Sequence, residues 1–347
     1  MNTVKWSKLF LAAGLMAAGF AGAADYPDHP INGVIAWGSG GGTDTVTRLL
    51  TPIAEKILKQ SVILTNKTGA TGAIATQAVH VAKPDGYTVM FHAENPQLYQ
   101  VLGLSPLSYD DFEPVLLTVQ GSTVVVVQKD SPLKTYDDLI KAAKANPGKL
   151  TIGTSGVGGQ PWVTSMLLKK IEGVTFNPVS FDGDGPLVTA LLGKQLDVSG
   201  LAVGAAVQYI KNGDLRALAI MKNKPNPALP EVPYITKLNP VFADAMKASG
   251  FFYGVFVKKG TPQPVIDKLT EAYRFALNDA KFVNYTVKNG LDVIGLTGKE
   301  AREFMNTWRS QMSWLIWDAG AGKNSPDKYG IPKPARKYPP DKRTTTE

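Results

Sequence analysis

The sequence predicts an α/β protein of two lobes around a central cleft, and three observations carry that expectation. Apolar runs of strand length alternate with runs of helical spacing through most of the chain, as in parallel sheets covered by helices. A chain of 347 residues exceeds what one ordinary core holds. One unit also occurs twice: a short apolar strand, a glycine-rich loop and a helix. It stands first at Val34-Ile35-Ala36-Trp37-Gly38-Ser39-Gly40-Gly41-Gly42-Thr43-Asp44. It returns at Leu150-Thr151-Ile152-Gly153-Thr154-Ser155-Gly156-Val157-Gly158-Gly159-Gln160-Pro161.

In chain order, Lys5 and Lys8 precede an apolar run over 9–20 that leads into Ala21-Gly22-Ala23, with Gly22-Ala23-Ala24 as an alternative processing site. The run is short for a membrane span, so residues 1–24 are read as a signal peptide and the protein as periplasmic. Residues 31–37 form the first strand. Val46, Leu49, Leu50, Ile53, Ile57 and Leu58 then fall at helical spacing over 44–58. A strand at 61–65, a glycine-bearing turn at 66–72, a helix at 73–82 and a strand at 87–92 follow, the helix stopping at Lys83-Pro84-Asp85-Gly86. The β-rich runs 115–119 and 122–128 mark the first crossing into a second lobe.

Residues 136–145 make a helix ended by Asn146-Pro147-Gly148, and the second glycine loop comes next, with Pro161 suited to the first helical turn. Segment 174–181 is read as a strand running into Asp182-Gly183-Asp184-Gly185-Pro186, and 187–221 continues the alternation. Residues 222–233 read as a proline-rich surface loop, 251–257 as the strand that crosses back, 264–277 as an amphipathic helix and 297–318 as the last long helix. From Gly320 onward proline, lysine and glycine dominate, with almost no aliphatic residue beyond Ile331, so this tail is read as mobile or draped over the body. The domain reading is a signal peptide at 1–24, a first lobe at 25–120 and 251–320, a second at 121–250, and a basic tail at 321–347.

A helix start carries unpaired N–H groups and the positive end of its dipole, and glycines let an anion approach that backbone closely. Two such starts on two lobes can hold a small organic acid. Ser39, Thr154 and Ser155 add hydroxyl donors, and Trp37, Trp162 and Phe181 can form an apolar wall, although core packing accounts equally for Trp162. A tight turn capped by Thr43 or Asp44 also explains the first loop. Asp44 would repel a carboxylate ligand, so it is expected to orient the loop and pair with Arg48. His92, at the end of a strand, is more often a silent hydrogen-bonded histidine than a ligand.

The composition closes several other routes. With no cysteine, neither disulfides nor thiolate metal sites are available, and His29, His80 and His92 show no ligand spacing, so no metal or cofactor is expected. The net charge of +8 is concentrated at the ends. Lys5 and Lys8 supply two charges and residues 321–347 a net four, leaving about +2 on the body, so nucleic acid is not an expected partner. The alternative of a secreted α/β hydrolase acting on a small ester or amide is weakened because Val157 stands where a nucleophile elbow needs its last glycine. Thr43 likewise replaces the third glycine of a dinucleotide fingerprint, and no phosphate-loop motif is present.

Pro30-Ile31, 37–44, 66–72, Pro84-Asp85-Gly86-Tyr87, Phe112-Glu113-Pro114-Val115 and Gly260-Thr261-Pro262, behind an export signal, together resemble the extracytoplasmic solute receptors of tripartite tricarboxylate transporters, also called Bug receptors. The resemblance covers roughly 25–318. It implies a type II periplasmic-binding-protein fold, hinged near 115–123 and 251–258, that closes on a mono- or dicarboxylate. It also implies a monomer that delivers the ligand to a membrane permease. The ligand residues it implies are Trp37, Gly38, Ser39, Gly40, Gly41, Thr43 and Asp44 on one lobe. Opposite them stand Thr154, Ser155, Gly156, Gly158 and Gly159, with Phe181, Asp182 and Gly183 as a third wall. Trp37 and the basic tail depart from the family's pattern.

Overall fold

The computed structural model describes residues 26–181, 183–247 and 250–335; the export signal read at 1–24 and the candidate residue Asp182 lie outside them. The elements run β1 (Ile31–Ile35), α1 (Gly42–Leu58), β2 (Val62–Asn66), α2 (Ala73–His80), β3 (Thr88–Ala93), α3 (Tyr99–Leu102), β4 (Phe112–Gly121), β5 (Thr123–Gln128), α4 (Tyr136–Ala145), β6 (Thr151–Thr154), α5 (Gln160–Glu172) and β7 (Asn177–Ser180). Then come α6 (Asp184–Leu192), β8 (Val198–Ala202), α7 (Val203–Lys211), β9 (Leu215–Ile220), α8 (Ile235–Leu238), α9 (Ala243–Met246), β10 (Phe251–Lys258), α10 (Gln263–Leu277), α11 (Ala280–Lys288), β11 (Asp292–Leu296) and α12 (Gly298–Asp318).

The strands form two sheets, ordered β11-β4-β10-β3-β1-β2 and β7-β6-β8-β5-β9. Apart from β11 the two orders repeat one scheme: second strand, first, third, a strand arriving from the other sheet, and the last. The repeated sequence unit therefore occupies the same place in each sheet, as β1–α1 and as β6–α5.

The sheets are mixed where the alternation pattern suggested parallel ones. β1 pairs parallel with β2 and β3, but β10 runs antiparallel to both β3 and β4. In the second sheet β6 pairs parallel with β7 and β8, and β5 runs antiparallel to β8 and β9. The reason is geometric. The carboxyl ends of the parallel strands face the other sheet, so a strand arriving from there enters at that end and runs the opposite way.

Helical periodicity decides which faces are buried. Val46, Leu50, Ala54 and Leu58 follow at four-residue steps on α1 and are all buried, and the helix packs against α10, where Leu269, Ala272, Tyr273 and Ala276 are buried. Each large aliphatic side chain so covered contributes about 1.5–3 kcal/mol. Helix α12 packs on β4 of the first sheet and on α5 of the second. Its fully buried Trp308 lies edge-on to Phe252, with ring centroids 6.1 Å apart, and its indole N–H donates to the Gly250 carbonyl at 3.0 Å.

Of the two readings of the tail, its described part, 321–335, follows the draped one: Ile331 is buried against Val101 and Trp314, and the Trp314 indole N–H donates to the Ile331 carbonyl at 3.0 Å. Ser310 Oγ donates to the Pro332 carbonyl and Asn324 Nδ2 to the Gln100 carbonyl. One aliphatic residue anchored by side-chain donors offsets the ordering of a segment whose composition alone suggested none. The 222–233 segment is likewise only partly a surface loop, because Leu229 and Val232 enter the second lobe's core and Asn226 Nδ2 donates to the Gly290 carbonyl.

Candidate ligand-binding site

The carboxyl ends of β1 and β3 from one sheet, and of β6 and β8 from the other, meet at one cavity of about 560 Å³. This is where an open α/β sheet places its ligands, because the loops leaving those strands are free of the ladder and lead into helices. The heads of four helices contribute to the wall: Gly42 and Thr43 of α1, Gln160 and Pro161 of α5, Asp184 to Pro186 of α6, and Gly204 and Ala205 of α7. None has a side-chain cap; the residues before them are Gly41, Gly159, Gly183 and Ala202. The first amides of these helices therefore lack the partner that a Ser, Thr, Asp or Asn cap supplies. Not all remain available, since Val203 N–H donates to the Ser122 carbonyl and prolines occupy 161 and 186.

Among the residues singled out from sequence, Trp37, Gly38, Ser39, Gly40, Gly41 and Thr43 line the cavity, as do Ser155 and Gly183. Asp44 lies behind it. It accepts from Gly40 N–H at 2.9 Å, from Asn66 Nδ2 at 2.8 Å and from Arg48 Nε at 2.8 Å, while Asn66 also holds the Trp37 carbonyl at 2.8 Å. Burial pushes its carboxyl up, but Asn66, the Gly40 amide and Arg48 together outweigh it and leave Asp44 below the usual range. Asp44 is thus an ionised, neutralised brace for the loop, and the N-cap of α1 is Gly41 rather than Asp44 or Thr43.

The second glycine loop is used differently. Thr154, Gly156, Gly158 and Gly159 are not in the cavity wall, and neither is Phe181, which packs on the second lobe's core. Instead the loop is clamped to the first lobe. Thr71 Oγ1 donates to the Val157 carbonyl at 3.0 Å and Asn95 Nδ2 to the Gly158 carbonyl at 2.9 Å. Gln160 Nε2 donates to Glu94 Oε1 at 2.8 Å and to the Gly250 carbonyl at 3.1 Å. Trp162 is buried in the core. His92 is fully buried, its Nε2 3.1 Å from Tyr99 Oη and its Nδ1 accepting from Ala93 N–H, and burial pushes its pKa down to about 3.

Sequence reasoning missed Glu94, Asn95, Asp184, Tyr209, Tyr253 and Tyr285, all of which line the cavity. Glu94 is only 1 % exposed, and its Oε2 has no hydrogen-bond partner. Burial pushes its carboxyl up to about 7, against the Gln160 amide and the main-chain N–H groups of Glu94 and Phe252. Burial likewise pushes Asp184 up to about 6, against the Ala202 amide. Tyr253 is held neutral first by burial and then by the nearby Asp184, Glu94 and Tyr285. The signal for Glu94 was available: an acidic residue directly after the apolar strand Val89 to Ala93, at a carboxyl end, has no apolar role.

Comparison with known proteins places these features in a family. Residues 46–320 match the model of the tripartite tricarboxylate transporter family receptor. Protein BugT of Bordetella pertussis is 29 % identical over 318 residues, covering 90 % of this chain and 96 % of that one. A protein encoded in the gbd 5′ region of Cupriavidus necator is 31 % identical over 297 residues, 84 % of this chain and 88 % of that one. The structure of the periplasmic binding protein BugD superposes with a TM-score of 0.79 at 28 % identity, covering 86 % of this chain and all of that one. MatC of Rhodopseudomonas palustris with bound malate superposes with a TM-score of 0.72 at 25 % identity, over 85 % and 98 % of the two chains.

Proposed function

We propose, from the premise that this chain belongs to the receptor family of the tripartite tricarboxylate transporters, that it is a periplasmic receptor that captures a small organic carboxylate between its lobes and presents it to a membrane permease. The observation that carries this reading is the convergence of four uncapped helix heads on one cavity. A carboxylate receives there the donors the helices lack acceptors for, each charge-assisted bond contributing about 1.5–3 kcal/mol net. Three or four such bonds, together with apolar contact along the wall, supply the interaction that the roughly −8 kcal/mol of micromolar binding needs once ordering costs are met. Malate bound in the MatC structure supports the same ligand class. The hinge is read near 115–123, where β4 passes into β5, and near 251–258, in β10. Closure there adds the second lobe's donors only in the shut state, and that difference drives the population shift.

Hydrolysis is disfavoured by the site's chemistry. Ser39 and Ser155 line the wall, but no histidine or lysine stands among the described lining residues, and neither serine is among the hydrogen-bond partners of Glu94 or Asp184, the carboxyls there. A thermal-shift screen of mono- and dicarboxylates tests the reading, with Gly41→Val as the control. Gly41 has φ −71° and ψ 167°, a region open to valine, although its Cβ would stand 3.1 Å from the Gly38 carbonyl, and the added branches crowd the approach to the α1 amides. The reading expects acids to raise the melting temperature of the wild type and not of the variant. Equal stabilisation of both, or turnover of an ester without stabilisation by any acid, contradicts it.

A further inference from the structure

We propose that the second glycine loop, residues 155–160, is a latch between the lobes: it docks on the turn 69–72 and on Asn95 of the first lobe, and the shut arrangement it holds is populated before any ligand arrives. Gly156, Gly158 and Gly159 of this loop stand outside the cavity wall. What its glycines permit is close approach of the other lobe. Gly158 has φ +85°, and a Cβ there would lie 2.8 Å from Leu102 Cδ1 of α3.

The bonds form a row. Gln160 Nε2 donates to the Gly250 carbonyl, one residue before β10 crosses back into the first sheet. Asn95 Nδ2 donates to the Gly158 carbonyl, and Thr71 Oγ1 to the Val157 carbonyl. Thr71 meets the loop three residues further from that crossing than Gln160 does. Neither Thr71 nor Val157 lines the cavity, so their bond joins lobe to lobe whatever the cavity holds. Such a latch sets how much of the protein is shut in advance, without choosing among ligands.

The turn that receives the loop is strained. Gly69, Ala70, Thr71 and Gly72 have φ of +120°, +47°, +55° and +88° in succession. Left-handed backbone is unfavourable for alanine and more so for a β-branched threonine, and it persists only where the surroundings over-determine it. Here the fully buried Tyr99 supplies that constraint. Its Oη donates to the Thr71 carbonyl at 2.8 Å and lies 3.1 Å from His92 Nε2. Glycine at 71 would remove the strain but also the donor. The strained threonine is what carries a hydroxyl to the second lobe.

The test reads lobe separation directly. The chain has no cysteine, so Lys56→Cys in the last turn of α1 and Lys211→Cys at the end of α7, both exposed positions, take spin labels on the two lobes. The full chain is refolded from urea and dialysed free of any carried acid, and pulsed electron paramagnetic resonance gives the distance distribution. The labelled wild type is expected to show a short-distance population. Thr71→Ala should lower it relative to longer distances by about 2- to 13-fold, the worth of one neutral hydrogen bond. Thr71→Ser keeps the donor and should retain the short population. Alanine also sheds the β-branched strain, so Thr71→Ala should unfold in urea near the wild-type midpoint, a split that a merely structural threonine would not give. The proposal is overturned if the wild type shows no short-distance population until malate or another stabilising acid is added, or if Thr71→Ala leaves the distribution unchanged. It is equally overturned if Thr71→Ser opens the lobes as far as alanine does, or if the lobes part only in step with a lowered unfolding midpoint.

Discussion

Gly42→Ala probes the site with a single methyl group. Gly42 is the first residue of α1, and a Cβ built there lies 2.2 Å from Tyr253 Oη and 3.0 Å from Cζ. Ordinary contact begins near 3.4 Å, so the hydroxyl must retreat by about 1.2 Å. The Tyr253 ring is stacked on Phe251 with centroids 4.9 Å apart, which leaves the cavity as the direction of escape. Alanine also narrows the unfolded chain's freedom, worth about 0.4–1 kcal/mol where the backbone suits it, and this offsets part of the crowding. Stability measured by urea unfolding should therefore change by no more than about 1 kcal/mol in either direction. Affinity should fall far more, because a displaced hydroxyl and a methyl over the α1 amides remove at least one charge-assisted bond, about 1.5–3 kcal/mol or roughly 10- to 150-fold. Calorimetry of variant and wild type with the same acid reads this directly. An affinity within about twofold of wild type, in a normally folded variant, would refute the placement of the ligand at the head of α1.

Further outcomes follow from the same geometry. Because the folded-state pKa of Glu94 is raised from 4.5 to about 7, the ligand-free protein should lose stability as pH climbs from 4.5 through 7, by a few kcal/mol in order of magnitude, and Glu94→Gln should flatten that loss in urea titrations across the range. Gly72→Ala should cost more than about 2 kcal/mol, since φ there is +88° and the new Cβ would lie 2.4 Å from the Nε2 of the fully buried His92; denaturant unfolding checks it. Ending the chain after residue 320 should lower the melting temperature, through loss of the Ile331 contact and the bonds from Ser310, Trp314 and Asn324, yet leave ligand affinity unchanged by calorimetry.

How far the sequence could be read depended on whether a feature is local. The β1–loop–α1 and β6–loop–α5 units were legible because strand, glycine loop and apolar spacing lie within some twenty residues. So was the Asp44–Arg48 pair, whose four-residue spacing puts both side chains on one helix face. The direction of β10 was not, since it depends on where the chain re-enters a sheet. The use of the second loop as a clamp was also hidden: Val157 and Gly158 take part through their carbonyls, and the donors Thr71 and Asn95 stand 86 and 63 residues away. Asp184 read as part of a glycine turn and Glu94 fell just past a strand that ended at His92, and only the closing of two sheets about one cavity brings them together. α11 and β11 went unread because the run from Ala280 to Leu296 keeps only a few inward positions, such as Phe282 and Thr286, so its apolar period is weak.

The most direct measurement is a crystal structure of the protein with an acid that stabilises it in the thermal screen. The expected result places the ligand's carboxylate oxygens within hydrogen-bond distance of main-chain amides at Gly42 and Thr43 on one lobe and at the head of α6 or α7 on the other. A carboxylate held instead by a basic side chain, or bound outside the cavity between the sheets, would contradict it.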